Sequence, residues 1–152
     1  MSNALHTELF DRIKSTPTMM VGLNRNADRS EPMHICLEAE NTDAFWIFTR
    51  KDNRIAGGGK AMAQFVSDDH KLFACFSGHL VRETDKSTIQ DHFSLTVSAW
   101  YKDGFTDPTM EVLRFDIENT EIWEKDPSAA ARLKMAIGAK VSEDDMGQHA
   151  LL

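Results

Sequence analysis

The sequence predicts a mainly β protein, a β-barrel of antiparallel strands with flanking helices. Short apolar runs of strand length recur through the middle of the chain, and polar turn residues separate them. Helical periodicity is confined to the two ends, so strands and helices do not alternate as they do around a parallel sheet. A closed or partly closed barrel is the expected architecture, because it removes exposed sheet edges.

Length and composition limit the function classes. The 152 residues favour one domain over 1–152, since a chain of this length can bury a sizeable core. A formal net charge of −7 argues against a nucleic-acid partner, and we expect no membrane insertion because no apolar run approaches the length of a membrane span. Cys36 and Cys75 lie in apolar segments without metal-ligand spacing. We therefore expect no metal site, and two free thiols favour a cytoplasmic location.

The first helix and the early strands follow from residue spacing. Leu5, Leu9 and Ile13 recur every four residues and predict a short amphipathic helix that ends before Pro17. A strand is predicted at 19–23. Local turns then predict three antiparallel hairpins, which pair 33–39 with 45–49, 61–67 with 72–83, and 111–117 with 120–123.

Further helical signals lie in the second half of the chain. Residues 85–91 are short and polar, and we predict a helix there. Near the end, Asp126 is a good N-cap and Pro127 suits the first helical position. These two residues predict a helical tail over about 127–140, followed by a flexible segment over 141–152.

The most informative stretch is the apolar run 45–48, which is followed by Thr49 and several polar and basic residues. Bulky side chains at consecutive positions indicate a strand buried on both faces. The hydroxyl of Thr49, the amide of Asn53 and nearby guanidinium groups can together hold a phosphate. The basic residues of this region are Arg50, Lys51, Arg54 and Lys60. A solvated loop is the better explanation for any one of them, and only their position after the aromatic strand gives a binding role comparable weight. An apolar platform beside a phosphate-binding group is what an aromatic nucleotide cofactor such as a flavin requires.

Several segments, in this order along the chain, resemble the flavin-binding split barrels related to pyridoxamine 5′-phosphate oxidase, specifically the bacterial general stress protein class. The segments that carry the resemblance are 31–33, 45–49, 52–55, 76–80, 100–108 and Trp123. The resemblance implies an FMN-binding split barrel with antiparallel, Greek-key-like strand order. It also implies a homodimer in which FMN lies in a groove between the subunits.

The same resemblance implies a set of site residues. The implied cofactor-binding residues are Met33, His34, Ile35, Ile47, Phe48, Thr49, Asn53, Arg54, Lys60, Trp100 and Lys102. Residues 33–35 would lie along the flavin ring, and main-chain groups of 47–49 would bind its edge. Asn53 and Arg54 would hold the phosphate, with Lys51 or Lys60 supplying a further basic contact, and the 100–102 segment would reach over from the partner subunit.

The resemblance implies an FMN-binding flavoprotein that performs two-electron redox chemistry on a small molecule in a stress-related role. FAD is an open alternative to FMN, and no catalytic residue is assigned. A non-catalytic flavin-binding or flavin-buffering stress protein is the alternative function. Haem, with His34 or His79 as ligand, and deazaflavin are further alternatives on the same barrel.

Two more specific activities are not expected. The arginine-leucine-histidine signature of true pyridoxamine 5′-phosphate oxidases is missing near the C-terminus, where 131–134 reads Ala-Arg-Leu-Lys. The glycine run 57–59 before Lys60 does not match a nucleotide-binding phosphate loop. Arg54 occupies a position that requires glycine, and Ala61 replaces the serine or threonine that would bind magnesium. We expect these glycines to serve a sharp turn or a close backbone approach.

Overall fold

The computed structural model describes residues 2–125, 136–138 and 147–152, and these residues form a seven-stranded antiparallel sheet with helices packed on it. The strands are β1 (Thr18–Leu23), β2 (Glu31–His34), β3 (Ala44–Arg50), β4 (Gly59–Val66), β5 (Leu72–Arg82), β6 (Met110–Glu124) and β7 (Gln148–Leu151). The helices are α1 (Ser2–Ser15), α2 (Lys86–His92) and α3 (Leu95–Ser98). The predicted mainly β, antiparallel fold is confirmed.

The sheet curls until its two end strands meet. The strand order is β2-β1-β4-β5-β6-β3, and β7 also pairs with β6. Within the described part of the chain, the ends are joined by a single bridge between Cys36 and Trp46, in which each backbone N–H donates to the other residue's carbonyl oxygen at 2.9 Å. The sheet is therefore a partly closed barrel, and its seam stays open beside this bridge.

The main core fills the inside of this barrel. Phe45 on β3 stacks on Phe115 of β6, with ring centroids 4.7 Å apart and an interplanar angle of 13°. The predicted helix is confirmed as α1, and its residues Leu5, Leu9 and Ile13 are all buried in this core. Among the described helices, none combines the length and the apolar composition that crossing a bilayer requires.

A second apolar cluster lies on the outer face of β3. Trp46 and Phe48 point outward, and the segment from α2 to Tyr101 covers them with Phe93 and Val97. Both faces of β3 are thus covered, which confirms the prediction from its consecutive bulky side chains. This covering segment also forms one wall of the site described below.

The first predicted hairpin is wrong. The strand 33–39 ends at His34 and pairs with β1, whereas β3 pairs with β6 along seven residues. Only the Cys36–Trp46 bridge joins the two predicted partners among the described residues. Pairing with β6 uses the other edge of β3 and places Phe45 directly opposite Phe115, an aromatic cross-strand pair that stabilises this long-range pairing.

The third predicted hairpin is also wrong, whereas the second is confirmed. Residues 110–124 form one continuous strand, β6, which pairs with β5 throughout its second half. The register shifts between Ser77 and Gly78, so that Glu118 is accommodated as an extra residue in a bulge. β4 and β5 form the predicted hairpin, and α2 confirms the predicted helix at 85–91, with Asp85 as its N-cap.

The C-terminal predictions have a mixed outcome. The helical tail over 127–140, with its Asp126 and Pro127 start, lies for the most part outside the described residues. The predicted flexible segment contains β7, which pairs with the end of β6. The His149 ring stacks on Trp123 at 5.3 Å, and its Nε2 lies 2.7 Å from Glu121 Oε2. These contacts explain why a strand forms where local sequence predicted flexibility.

The turn between β4 and β5 is joined to α1 by a carboxylate. Asp69 accepts hydrogen bonds from Ser67 Oγ at 2.7 Å and from Arg12 Nη1 at 2.9 Å, and these bonds lower the pKa of Asp69 to about 2. Because the folded-state pKa lies below the unfolded one, the contribution to stability is present above about pH 4 and is lost as the pH falls towards 2.

We therefore expect Asp69→Asn to be less stable than the wild type at pH 6, with the difference shrinking as the pH falls to 2. Urea unfolding across this pH range measures it. Asp68→Asn is the matched control, because the Asp68 carboxylate is 76% exposed and lies 3.9 Å from Arg12. A stability difference between the wild type and Asp69→Asn that stays constant with pH would contradict the role assigned to the Asp69 carboxylate. An equal effect of Asp68→Asn would contradict it as well.

Candidate functional site

A cleft of about 390 Å³ opens where β2 and β3 separate beyond the Cys36–Trp46 bridge, and we call it the seam cleft. Three parts of the chain line it: β2, the end of β3 with the turn that follows, and the segment around α3. The lining residues are Glu31, Pro32, Met33, His34, Phe48, Thr49, Arg50, Asn53, Thr96, Val97, Trp100 and Tyr101.

Main-chain groups of two strand edges face the seam. Trp46 directs its N–H and C=O to Cys36, so strand alternation directs those of Phe48 to the same edge. Directly after β2, the Ile35 N–H donates to the Pro17 carbonyl at 2.8 Å on the β1 side, so the main-chain groups of His34 face the other edge, towards the seam. Pro32 shares that edge, where its missing N–H breaks no bond to β1. Donors and acceptors on two fixed edges therefore border the cleft.

One end of the seam cleft carries cationic and amide groups. Asn53 Nδ2 donates to Glu31 Oε1, and Asn53 Oδ1 accepts from the Ile55 N–H at 3.0 Å. Arg54 Nε lies 3.8 Å from Glu31 Oε2, and Arg50 Nε lies 3.7 Å from Asp52 Oδ1. The side chains of Arg50 and Arg54 are 57% and 42% exposed, so both can turn to an anionic ligand at this end.

Another wall of the cleft is aromatic. Tyr101 is buried in the outer apolar cluster, and burial raises the pKa of its hydroxyl to about 12. Its neighbour Trp100 is 77% exposed, although tryptophan is usually highly buried. An anchored Tyr101 beside a projecting Trp100 indicates a surface for a flat ligand or a partner chain.

His34 is the histidine that lines the seam cleft. Burial lowers the pKa of its imidazole, so the ring is neutral near pH 7 and can donate or accept one hydrogen bond at each nitrogen. His79 lies elsewhere, on β5, where its Nδ1 contacts the Glu118 carboxylate at the bulge. Of the two histidines predicted as haem ligands, His34 is thus the one at the cleft.

The structure brings six of the predicted site residues together in the cleft. These are Met33, His34, Phe48, Thr49, Asn53 and Trp100. Arg54 reaches the same place through Glu31. The side chains of Ile35 and Ile47 are buried in the main core, where they support the two strands rather than line the cleft.

Three predicted basic contacts, Lys51, Lys60 and Lys102, lie away from the cleft lining. Lys60 is exposed on β4 opposite His79, and Lys102 is exposed in the turn after Tyr101. Trp100 and Tyr101 line the cleft of their own chain. That the 100–102 segment reaches over to the partner's site stays a prediction from the resemblance.

Sequence reasoning missed several lining residues. These are Glu31, Pro32, Arg50, Thr96, Val97 and Tyr101. Arg50 belongs to the basic group noted after the aromatic run, so its position gave a usable signal. Glu31 was noted only within the 31–33 segment of the resemblance, because its own role depends on contact with Asn53, which lies 22 residues away along the chain.

The glycine run 57–59 serves a turn, as expected. Gly58 has a φ of +70°, and a Cβ there would lie 2.6 Å from the Leu80 carbonyl oxygen. The Gly58 carbonyl accepts a hydrogen bond from Arg25 Nη1 at 2.6 Å. These contacts fix the entry into β4 and lie apart from the seam cleft.

Comparison with known proteins identifies the family. The family model described as pyridoxamine 5′-phosphate oxidase like matches residues 5–146. Among solved structures, the general stress FMN/FAD binding protein from Xanthomonas citri is 33% identical, with a TM-score of 0.76, and the match covers 83% of this chain and 92% of that one. A general stress family structure from Xanthomonas campestris pv. campestris is 32% identical, with a TM-score of 0.77 and coverages of 84% and 92%.

A structure assigned to general stress protein 26 from Jannaschia sp. CCS1 is 25% identical, with a TM-score of 0.78, and the match covers 99% of this chain and 98% of that one. No curated protein matches at a significant level. The family match extends over nearly the whole chain, and both Xanthomonas structures are about a third identical to it over the matched part. This chain belongs to the pyridoxamine 5′-phosphate oxidase-like family, with the split-barrel fold and within its general stress protein class.

Proposed function

We propose that this protein binds FMN in the seam cleft and uses it for two-electron redox chemistry on a small molecule. The observation that carries the proposal is the cleft itself. It combines two free strand edges, an aromatic wall and a cationic end within one opening of the barrel. A planar, hydrogen-bonding ring with a phosphate tail fits that combination of groups.

Particular residues would hold each part of the cofactor. Main-chain groups of His34 and Phe48 would bind the edge of the ring, because they lie on strand edges that the sheet leaves open at the seam. Arg50, Arg54 and Asn53 would hold the phosphate. Trp100 would cover the ring face, because its indole is exposed at the cleft.

The protein's own contribution would be positioning and exclusion of water. When bound, the flavin supplies the electron transfer. The outer apolar cluster holds Tyr101 and Val97 against the cleft and limits solvent on that side. A neutral His34 can hold a proton at one ring nitrogen and offer the other as an acceptor to a substrate group.

The same proposal specifies the flavin, the oligomeric state and the location of the protein. FMN is proposed rather than FAD because the cationic end suits one phosphate, although the Xanthomonas citri relative is described as FMN/FAD binding. A homodimer is proposed because the exposed Trp100 suits a covered surface. A cytoplasmic location is proposed from the free thiols of Cys36 and Cys75.

Native mass spectrometry of protein purified without added cofactor, combined with its absorption spectrum, tests this function. We expect a dimer carrying one FMN mass per chain and the bands of oxidised flavin. Anaerobic mixing with NADPH or NADH should then bleach the bands, and an added acceptor should restore them.

A bound flavin that no donor reduces would favour the non-catalytic flavin-buffering alternative. A Soret band would favour haem, and a chain that takes up no flavin would overturn the proposal.

We expect Trp100→Ala to weaken FMN binding about 2- to 12-fold, the range of aromatic stacking energies. The free energy of unfolding of the cofactor-free protein should change by less than about 0.5 kcal/mol, because the side chain is exposed. Fluorescence titration and urea unfolding measure the two quantities. Phe105→Ala is the matched control, since Phe105 is a 40% exposed aromatic residue that does not line the seam cleft. Equal effects of the two variants would contradict the stacking role.

A further inference from the structure

A second cleft, of about 480 Å³, is lined in part by α2, which belongs to the covering segment, and it shares no lining residue with the seam cleft. Its walls are the first residues of α2, the turn at Gly104–Thr106 and the start of β6. We call it the lysine cleft after Lys51 and Lys86, which both line it. Lys51 directly follows Arg50, so adjacent residues at the end of β3 line different clefts.

The acidic groups in the wall of the lysine cleft are already compensated. Glu111 pairs with Arg82 Nε at 2.8 Å. Glu83 accepts a hydrogen bond from Trp46 Nε1 at 2.9 Å and lies 3.7 Å from Arg114 Nη1. These carboxylates are therefore held by neighbours within the fold and have little capacity left for an incoming cation.

The third carboxylate, Asp107, is also held locally. It accepts hydrogen bonds from the Thr109 N–H at 2.8 Å and the Thr109 hydroxyl at 2.7 Å, and these bonds lower its pKa. By contrast, within the part of the chain that the structure describes, Lys51 and Lys86 have no ion-pair partner. Two uncompensated ammonium groups thus face a cleft in a protein of net charge −7.

The floor of the lysine cleft is apolar. Ile89, Met110 and Val112 line it, and Phe105 stands at its side with 40% of its surface exposed. Phe105 packs edge-on against Phe93 at 6.2 Å, and this contact supports one side of its ring. An apolar floor with two ammonium groups suits a ligand that has both a flat hydrocarbon part and a negative charge.

We propose that the lysine cleft binds a small organic anion with a flat apolar body, of the aromatic carboxylate class. The ring lies against Phe105 and Ile89, and the carboxylate pairs with Lys51 and Lys86. This site is separate from the proposed flavin site, because the two clefts share no lining residue.

The test uses the full-length protein saturated with FMN, so that the seam cleft is filled, and 2-naphthoate as the probe in isothermal titration calorimetry. Neutral 2-naphthamide has the same ring system without the charge and serves as the matched ligand. We expect naphthoate to bind more tightly than naphthamide. Lys51→Ala and Lys86→Ala should each weaken naphthoate binding about two- to fivefold, as for partly exposed charge pairs. Lys14→Ala, which removes an exposed lysine of α1, should leave it unchanged.

Three results would overturn the proposal: no binding of naphthoate, equal binding of the acid and the amide, or equal binding to wild type and both lysine variants. If the protein takes up no FMN, the same titration is run on the cofactor-free protein with Arg50→Ala added. Loss of naphthoate binding in Arg50→Ala but not in Lys51→Ala would then place the probe in the seam cleft and reject the lysine cleft. The proposed flavin function and this inference can therefore fail separately.

Discussion

Replacing Arg50 and Arg54 together with alanine should weaken FMN binding about 30-fold or more, which is the largest ligand-binding effect we expect from this chain. Arg50 lines the end of the seam cleft that also holds Asn53 and Glu31, and Arg54 Nε lies 3.8 Å from Glu31 Oε2. Charge-assisted bonds from two partly exposed arginines to one phosphate should contribute about 2–4 kcal/mol together. Fluorescence titration with FMN measures the change.

Riboflavin makes this prediction specific, because it has the same ring system and no phosphate. We expect the double variant to bind riboflavin as the wild type does. Lys14→Ala combined with Arg29→Ala removes the same charge from exposed positions outside the cleft lining and should leave FMN binding unchanged. If the arginine variant lost riboflavin and FMN affinity equally, the phosphate would not lie at this end of the cleft.

Gly78→Ala is expected to destabilise the fold by about 3 kcal/mol or more, the largest stability effect we predict for a single methyl group. A Cβ at this position would lie 2.0 Å from the Asp116 carbonyl oxygen and 3.1 Å from Phe115 Cε1. The position follows the register shift where β6 carries its extra residue, Glu118. Neither backbone can move aside without breaking the β5–β6 pairing that supports β3.

Gly104→Ala is the matched control for this prediction. Gly104 has a φ of +68°, but a Cβ there would meet no atom within 4 Å, so the substitution should cost about 1–2 kcal/mol through backbone strain alone. Urea unfolding of both variants compares the two costs. Equal losses of unfolding free energy in the two variants would mean that the close approach of β5 and β6 at Gly78 adds nothing to the cost of a Cβ there.

Local sequence was sufficient to predict those elements whose structural partners are close in the chain. The four-residue spacing of Leu5, Leu9 and Ile13 predicted α1, because a helix places such residues on one face regardless of what covers it. β4 and β5 are joined by a short polar turn, so their pairing is local and was predicted correctly. The consecutive bulky residues of β3 likewise indicated that both its faces are buried.

Strand partners were not predictable where distant segments compete. The run 45–49 has an adjacent candidate partner, yet its long pairing is with β6, where Phe45 stacks on Phe115. The 118–119 step has the composition of a turn, yet β5 holds both sides of it in one strand. In each case the competing pairing lies tens of residues away, beyond the reach of local patterns.

By itself, the sequence determined the mainly β class, the doubly buried aromatic strand and the basic residues that follow it. Only the tertiary structure decided how these form a cleft. It brought β2 and β3 together at one bridge, placed Glu31 against Asn53 and Arg54, and left Lys60 outside the lining. The physical reason is that side-chain pattern fixes which face of a strand is buried, whereas contacts between distant strands depend on how the whole sheet curls to bury its core.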